Sequence, residues 1–172
     1  PGLEMTQPRL ILSLFPGIGL LDRAFEDVGF CIVRGPDLLW GGDVRRFDPP
    51  AGSFGGIIGG PPCQDFSAAR RAPPTGNGRA MLAEFVRIVE RARPSFWLIE
   101  NVPRVPDVRI DGYSWQRIDV ELAEFYPVRR LRHFQYGATD PTRTISVPRG
   151  RRDFAADPAV VASNGSLDEA RQ

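Results

Sequence analysis

Lysine is absent from this chain: all 22 of its basic residues are arginine. Two cysteines and one histidine are the whole supply of thiol and imidazole groups. Two cysteines cannot build a disulfide framework, and one histidine leaves no zinc constellation to assemble, so no metal is expected. No apolar run approaches the ~20 residues of a membrane span, and no signal-peptide pattern is present, so no membrane partner is expected either. Together these absences suggest a reducing, cytoplasmic compartment. An excess of either charge is missing too, since 22 basic residues face 21 acidic ones. A length of 172 residues suggests one domain with enough chain to bury a core.

A GC-rich coding sequence is the simplest cause of the all-arginine set. The physical consequence holds whatever the cause. Every cation is a planar, permanently charged fork suited to phosphates and base edges. The arginines thicken late in the chain, at Arg129, Arg130, Arg132, Arg143, Arg149, Arg151 and Arg152. A basic face of that kind favours nucleic acid as a partner.

Along the chain, residues 1–8 read as an unstructured start. "RLILSLF" (9–15) is a continuous apolar run of strand length that ends in "PGIG". A helix is expected next, with Leu20, Leu21, Ala24, Phe25 and Val28 on one face and Gly29 at its end. "FCIV" (30–33), "FGGIIGG" (54–60) and "SFWLIENV" (95–102) read as strands, and "AMLAEFVRIVERAR" (80–93) as an amphipathic helix stopped by Pro94. "SWQRIDVELAEF" (114–125) is expected to be a further helix, stopped by Pro127. Two late strands are expected at 128–137 and 143–147. The stretch from 148 to 172 reads as a basic, loose tail. Strands alternating with helices predict an α/β fold with a doubly wound, mostly parallel sheet. Ligands of such sheets bind beyond the carboxyl ends of the strands. The turns "FPGIG", "GPPCQDFS" and "IENVPR" all follow strands, so all three should share that edge.

Each turn has a chemical and a plain reading. Gly17 and Gly19 allow a tight strand-to-helix turn and the close approach of a ligand, and such turns are as often only structural. Asp37 lies 18 residues after Gly19, about where an acid meets a ribose in dinucleotide-type folds. "GGD" offers a second acid, Asp43. Either acid reads equally as a solvated loop residue. Glu100 and Asn101 end an apolar strand, where a carboxylate needs a partner or a task. Cys63 stands behind Pro61 and Pro62 on a stiff turn, outside any apolar run that would bury it.

Taken together the three turns resemble one family, the DNA cytosine-5 methyltransferases. "LFPGIGLLDRAFEDVGF" is similar to its first motif, "GGPPCQDFS" to its Pro-Cys catalytic motif and "IENV" to its Glu-Asn-Val motif, in the family's order and over roughly residues 9–147. The resemblance implies the Rossmann-like fold of S-adenosylmethionine-dependent methyltransferases. It implies methyl transfer from S-adenosylmethionine to C5 of a cytosine in DNA, single-stranded or flipped out of a duplex. By carry-over, Cys63 would be the nucleophile aimed by Pro61 and Pro62, Glu100 would contact N3 and the exocyclic amine, and Asn101 would brace the cysteine loop. Phe15 would pack on the adenine within the Pro16, Gly17, Ile18 and Gly19 turn. Asp37 would hold the ribose, and Asp43 would face the adenine amine. The cell compartment implied is the cytoplasm or the nucleoid.

The match departs from the family at four places. Ser13 stands where the family has an acid two residues before the motif Phe. The segment between Phe30 and "GGD" is short. "QYGATDPTRTISV" resembles the family's Gly-x-x-Gln-x-Arg-x-Arg segment poorly. Arg143 stands for one of its arginines, and the second, which steadies the target base, reads as Thr144 or Ile145. Nothing after residue 147 is long enough for a target-recognition domain, and the closing Gly-Asn motif is missing. The favoured expectation is a minimal catalytic domain served by a partner chain for recognition. A catalytically impaired regulator that binds S-adenosylmethionine or nucleic acid, an enzyme acting on free cytosine nucleotides, and transfer of a group other than plain methyl are the alternatives.

Overall fold

A six-stranded sheet carries the chain. The structure, a computed structural model, describes residues 10–67, 71, 73–124 and 129–147. The expectations for residues 1–8 and for the basic tail fall outside the described residues.

The first apolar run forms β1 (Leu10–Leu14), and the glycine turn leads into α1 (Leu20–Glu26). β2 (Cys31–Arg34) and β3 (Gly56–Gly59) follow, then α2 (Asn77–Ala92) and β4 (Phe96–Asn101). β5 (Gln116–Glu121) and β6 (Leu131–Ala138) complete the sheet. The strand order is β2-β1-β3-β4-β6-β5. The first four strands in that order run parallel, while β6 runs antiparallel to both β4 and β5, so it is the one reversed strand.

The helices cover opposite faces, as a doubly wound sheet requires. α2 turns Met81, Leu82, Phe85, Ile88, Val89 and Ala92 inward at helical spacing, against Leu12, Leu14, Ile57, Trp97 and Ile99. Its first turn starts at Asn77, one turn earlier than the sequence pattern suggests, because the Asp65 carboxylate accepts the Gly78 N–H at 2.8 Å and the Thr75 N–H at 2.9 Å. α1 covers less. Leu21 and Phe25 pack against Ile11, Ile58, Leu98 and Tyr136, but Leu20 and Val28 stay 70% and 68% exposed. The residue of α1 that is buried is Asp22, which is not part of the apolar face named from the sequence.

Two expectations are corrected. Residues 116–121, expected within a helix, form edge strand β5: Ile118 and Val120 alternate with the exposed Arg117 and Asp119, a period of two. Trp115, Ile118 and Leu122 also sit at spacings of three and four, which is what imitates a helix. Residues 143–147 form no strand. The Gln116 side chain donates to the Ile145 carbonyl and accepts from the Ile145 N–H, so one amide side chain replaces a ladder.

Candidate active site

Parallel strands β1, β3 and β4 end at one edge, with Leu14 level with Gly59 and Gly59 level with Ile99. That register brings the glycine turn, the Pro-Pro-Cys turn and the Glu-Asn-Val turn side by side, as the sequence predicts. Because β6 is reversed, its first residues reach the same edge: His133 lies opposite Asn101.

A cleft of about 270 Å³ opens there, lined by Gly60, Pro61, Pro62, Cys63, Gln64, Glu100, Asn101, Val102, Arg130 and Arg132. Glu100 and Asn101 are adjacent in sequence and therefore project to opposite faces of the sheet. Asn101 is buried, and its Nδ2 donates to the Pro61 carbonyl at 2.9 Å while its Oδ1 accepts from the Val102 N–H. The turn that holds Cys63 is thus tied to the end of β4. The Phe66 N–H donates to the Cys63 carbonyl at 2.9 Å, closing the turn on its other side. Glu100 pairs with Arg132 Nε at 2.8 Å, and both side chains remain partly exposed to the cleft. The single histidine, His133, is fully buried behind Asn101's strand and bonds Asp119 through Nδ1 at 2.6 Å.

A second cavity, about 160 Å³, adjoins the first. Ser13, Leu14, Phe15, Pro16, Ile18, Leu20, Leu21, Asp22, Gly60 and Glu100 line it, so Gly60 and Glu100 belong to both. Phe15 holds a left-handed φ of 55°, unusual for a residue with a side chain. Gly17 has φ +53°, and a Cβ built on it meets no atom within 4 Å. The turn therefore presents open backbone. Asp37 is tied to it, accepting the Gly17 N–H at 3.1 Å and the Leu39 N–H at 2.8 Å.

Gly17, Gly19 and Asp37 belong to the glycine turn without lining either hollow, and two further expected residues are engaged elsewhere. Asp43 lines neither cavity, and Arg45 grips it through backbone and guanidinium, hydrogen bonds that hold its carboxyl below the ordinary value. Arg143 is not in the cleft. It pairs loosely with Asp140 at 3.8 Å and borders a separate hollow with Phe25, Phe96, Leu98, Tyr136 and Ile145. The arginines in the cleft are Arg130 and Arg132, two members of the late basic run. Their spacing, Arg-x-Arg at the start of a strand, is the signal that would have found them. Among the described residues no group of three His, Cys, Asp or Glu side chains could hold a metal ion, and no helix is long and apolar enough to cross a membrane.

Residues 41–125 match the family described as C-5 cytosine-specific DNA methylase. Over 167 aligned residues the chain is 35% identical to Type II methyltransferase M.FnuDI of Fusobacterium nucleatum, covering 84% of this chain and 47% of that protein. The chain belongs to the DNA cytosine-5 methyltransferase family. It is also 36% identical over 115 residues to Type II methyltransferase M.NgoPII of Neisseria gonorrhoeae, covering 55% of this chain and 33% of that protein. The chain thus spans between a third and a half of the length of these relatives. Among solved structures, a DNA modification methyltransferase encoded within an E. coli prophage superposes with a TM-score of 0.58 at 23% identity, covering 80% of this chain and 49% of that one. Entamoeba histolytica methyltransferase EhMeth superposes at 0.57 with 14% identity, covering 84% and 57%. At such identities the likeness establishes the fold, the Rossmann-like sheet of methyltransferases.

Proposed function

We propose that residues 9–147 are the catalytic domain of an enzyme that transfers a methyl group from S-adenosylmethionine to C5 of cytosine in DNA. The observation that carries this reading is the shared wall: the cleft of Cys63 and the cavity of the glycine turn meet at Gly60 and Glu100. A nucleophile and a methyl donor held in two adjoining hollows is what a transfer between them requires.

The residues present fit the cofactor. The open backbone at Gly17, the aromatic Phe15 and the acid Asp37 bonded to the turn suit a nucleoside. Phe15, Pro16, Gly17, Ile18, Gly19 and Asp37 would hold it, with Pro61 nearby. The part given to Asp43 rests on the motif, because Arg45 engages that carboxylate. When bound, S-adenosylmethionine supplies an electrophilic methyl group on a sulfonium.

Cys63 acts as the thiolate, the reactive form of the group, and adds to C6 of the cytosine ring. Glu100 delivers a proton to N3, so the electron pair released by the addition collects at C5. C5 takes the methyl group. Loss of the C5 proton to solvent, return of the N3 proton to Glu100 and departure of the Cys63 thiolate from C6 then restore the aromatic ring. Asn101, through the Pro61 carbonyl, keeps the thiol aimed, and the Pro61–Pro62 pair limits the loop's freedom. Arg132 fixes the Glu100 carboxyl in place, and Arg130 and Arg132 suit a nucleotide's phosphate and base edge.

Target recognition is supplied from outside residues 9–147, by a partner chain or by the half to two thirds of the relatives' length that this chain does not match. A base in a duplex must be extruded at a cost of a few kcal/mol, so single-stranded DNA is the preferred substrate of these residues alone. The test is transfer of labelled methyl from S-adenosylmethionine to single-stranded DNA, duplex DNA, RNA and free cytosine nucleotides. Labelling of single-stranded DNA, abolished by Cys63→Ala in a protein that still folds, is the expected result. Undiminished labelling by Cys63→Ala contradicts the mechanism, and labelling of free nucleotides alone moves the substrate to that class.

A further inference from the structure

The α2 side of the molecule carries a hollow that the mechanism does not use. It measures about 230 Å³ and lies between the first turns of α2 and the segment that follows β4. Arg79 and Arg109 line it, together with the apolar Ala83, Val86 and Pro106. Its acid, Asp107, is engaged: Arg117 Nη1 donates to Asp107 Oδ1 at 2.6 Å. Arg79, Arg104 and Arg109 are exposed and make no hydrogen bond or ion pair among the described residues. Arg109 is held all the same, its guanidinium carbon 3.9 Å from the centre of the Trp115 ring. Such stacking fixes the plane of the fork and leaves its N–H edge for an acceptor. Arg79 stands in the first turn of α2, where the helix dipole disfavours a cation, so stability does not account for it.

Two turns join this hollow to the Cys63 cleft. On one side Val102 lines the cleft and Pro106 lines the hollow. The Val105 N–H donates to the Val102 carbonyl at 3.1 Å, closing a turn with Arg104 inside it. Pro106 is the next residue, so the two walls are at most about 11 Å apart from Cα to Cα. On the other side the Phe66 N–H closes the Cys63 turn at 2.9 Å, and Phe66 packs on Gly78, where an added Cβ would stand 2.9 Å from its ring. Arg79 is the residue after Gly78. The cleft, Arg104 and the hollow therefore follow one another over a distance that a few nucleotides of a strand span.

We infer that this hollow takes the sugar-phosphate backbone of single-stranded DNA beside the target cytosine, with Arg79, Arg104 and Arg109 as its phosphate contacts. The inference rests on the DNA reading above. The unpaired arginines suit phosphates, and Ala83, Val86 and Pro106 suit the apolar face of the sugar between them. Contacts of this kind hold a strand in register and carry no sequence information. They complement a recognition element supplied from elsewhere and do not replace it.

Fluorescence anisotropy of a labelled single-stranded DNA oligonucleotide with the 172-residue chain, over a range of salt and without cofactor, tests this. Arg79→Gln and Arg109→Gln should each weaken binding and flatten the slope of log K against log salt by about 0.7, the share of one phosphate on a single strand. Arg23→Gln removes the same charge from α1, on the opposite face of the sheet, and should leave the slope alone. Arg79 makes no bond in the folded chain, so its variant serves if Arg109→Gln fails to fold. An unchanged slope in Arg79→Gln, or an equal fall in Arg23→Gln, overturns the assignment. Tighter binding of RNA of the same sequence overturns DNA as the occupant. Methyl transfer is measured beside binding. A chain that binds as described and transfers no methyl keeps the hollow and loses the enzyme reading, and transfer with unchanged slopes does the reverse. A wild-type chain that binds no single-stranded DNA at low salt overturns both.

Discussion

The two faces of the sheet are built to different standards. The face under α2 is closed: Phe85, Ile88, Val89 and Ala92 are fully buried against Trp97 and Ile99. The face under α1 is thin, with a seven-residue helix, exposed apolar side chains at Ile18, Leu20 and Val28, and a buried acid, Asp22. β4 reports the difference in two consecutive residues. Asn101 points to the closed face and spends its amide on anchoring the cysteine turn. Glu100 points to the open face, where both hollows meet. The closed face sets the geometry and the open face meets the substrate, so damage to one should register as lost stability and damage to the other as lost chemistry.

The largest separation of the two should come from Glu100→Gln. Removing the proton donor should slow methyl transfer by ~10²–10⁴-fold. Since Glu100 lies in an open cleft, the melting temperature should hardly change, and a fall comparable to that of a core mutant would contradict the division. Phe85→Ala is the mirror experiment. It leaves a cavity against Trp97 and Gly59 and should cost about 3–5 kcal/mol in denaturant unfolding, while the fraction that remains folded keeps its specific activity.

A smaller effect separates the two candidate arginines. Arg132→Gln should reduce transfer by about 10-fold or more through loss of the bond to Glu100, whereas Arg143→Gln should leave the rate alone. The reverse order in a steady-state assay would restore Arg143 to the site. The smallest effect is expected at Val28→Ser, where an exposed position on the thin face should change unfolding stability by less than about 0.5 kcal/mol.

Much of the site was legible because it lies at the ends of parallel strands. Once "RLILSLF", "FGGIIGG" and "SFWLIENV" read as buried strands, topology alone places Gly17, Cys63 and Glu100 on one edge. What could not be read were contacts that cross the sheet. "SWQRIDVELAEF" satisfies both a helical and a strand period, and only pairing with β6 decides between them. Arg132 looked like one more arginine in a basic run because its task depends on the reversal of β6, which puts the beginning of that strand beside Glu100. The burial of Asp22 is likewise illegible, because a helical pattern carries no sign of its bonds to Ser13 and Arg34.

The central claim is that Cys63 forms the covalent bond to the substrate, and one trapping experiment addresses it directly. A single-stranded oligonucleotide carrying 5-fluorocytosine is incubated with the chain and S-adenosylmethionine, and the digest is examined by mass spectrometry. Fluorine at C5 cannot leave as a proton does, so the adduct should persist. The account predicts a stable protein–DNA complex with the oligonucleotide attached to the peptide that contains Cys63, and none from Cys63→Ala. An adduct that survives Cys63→Ala, or no adduct from a wild-type chain shown to bind both DNA and cofactor, would contradict it.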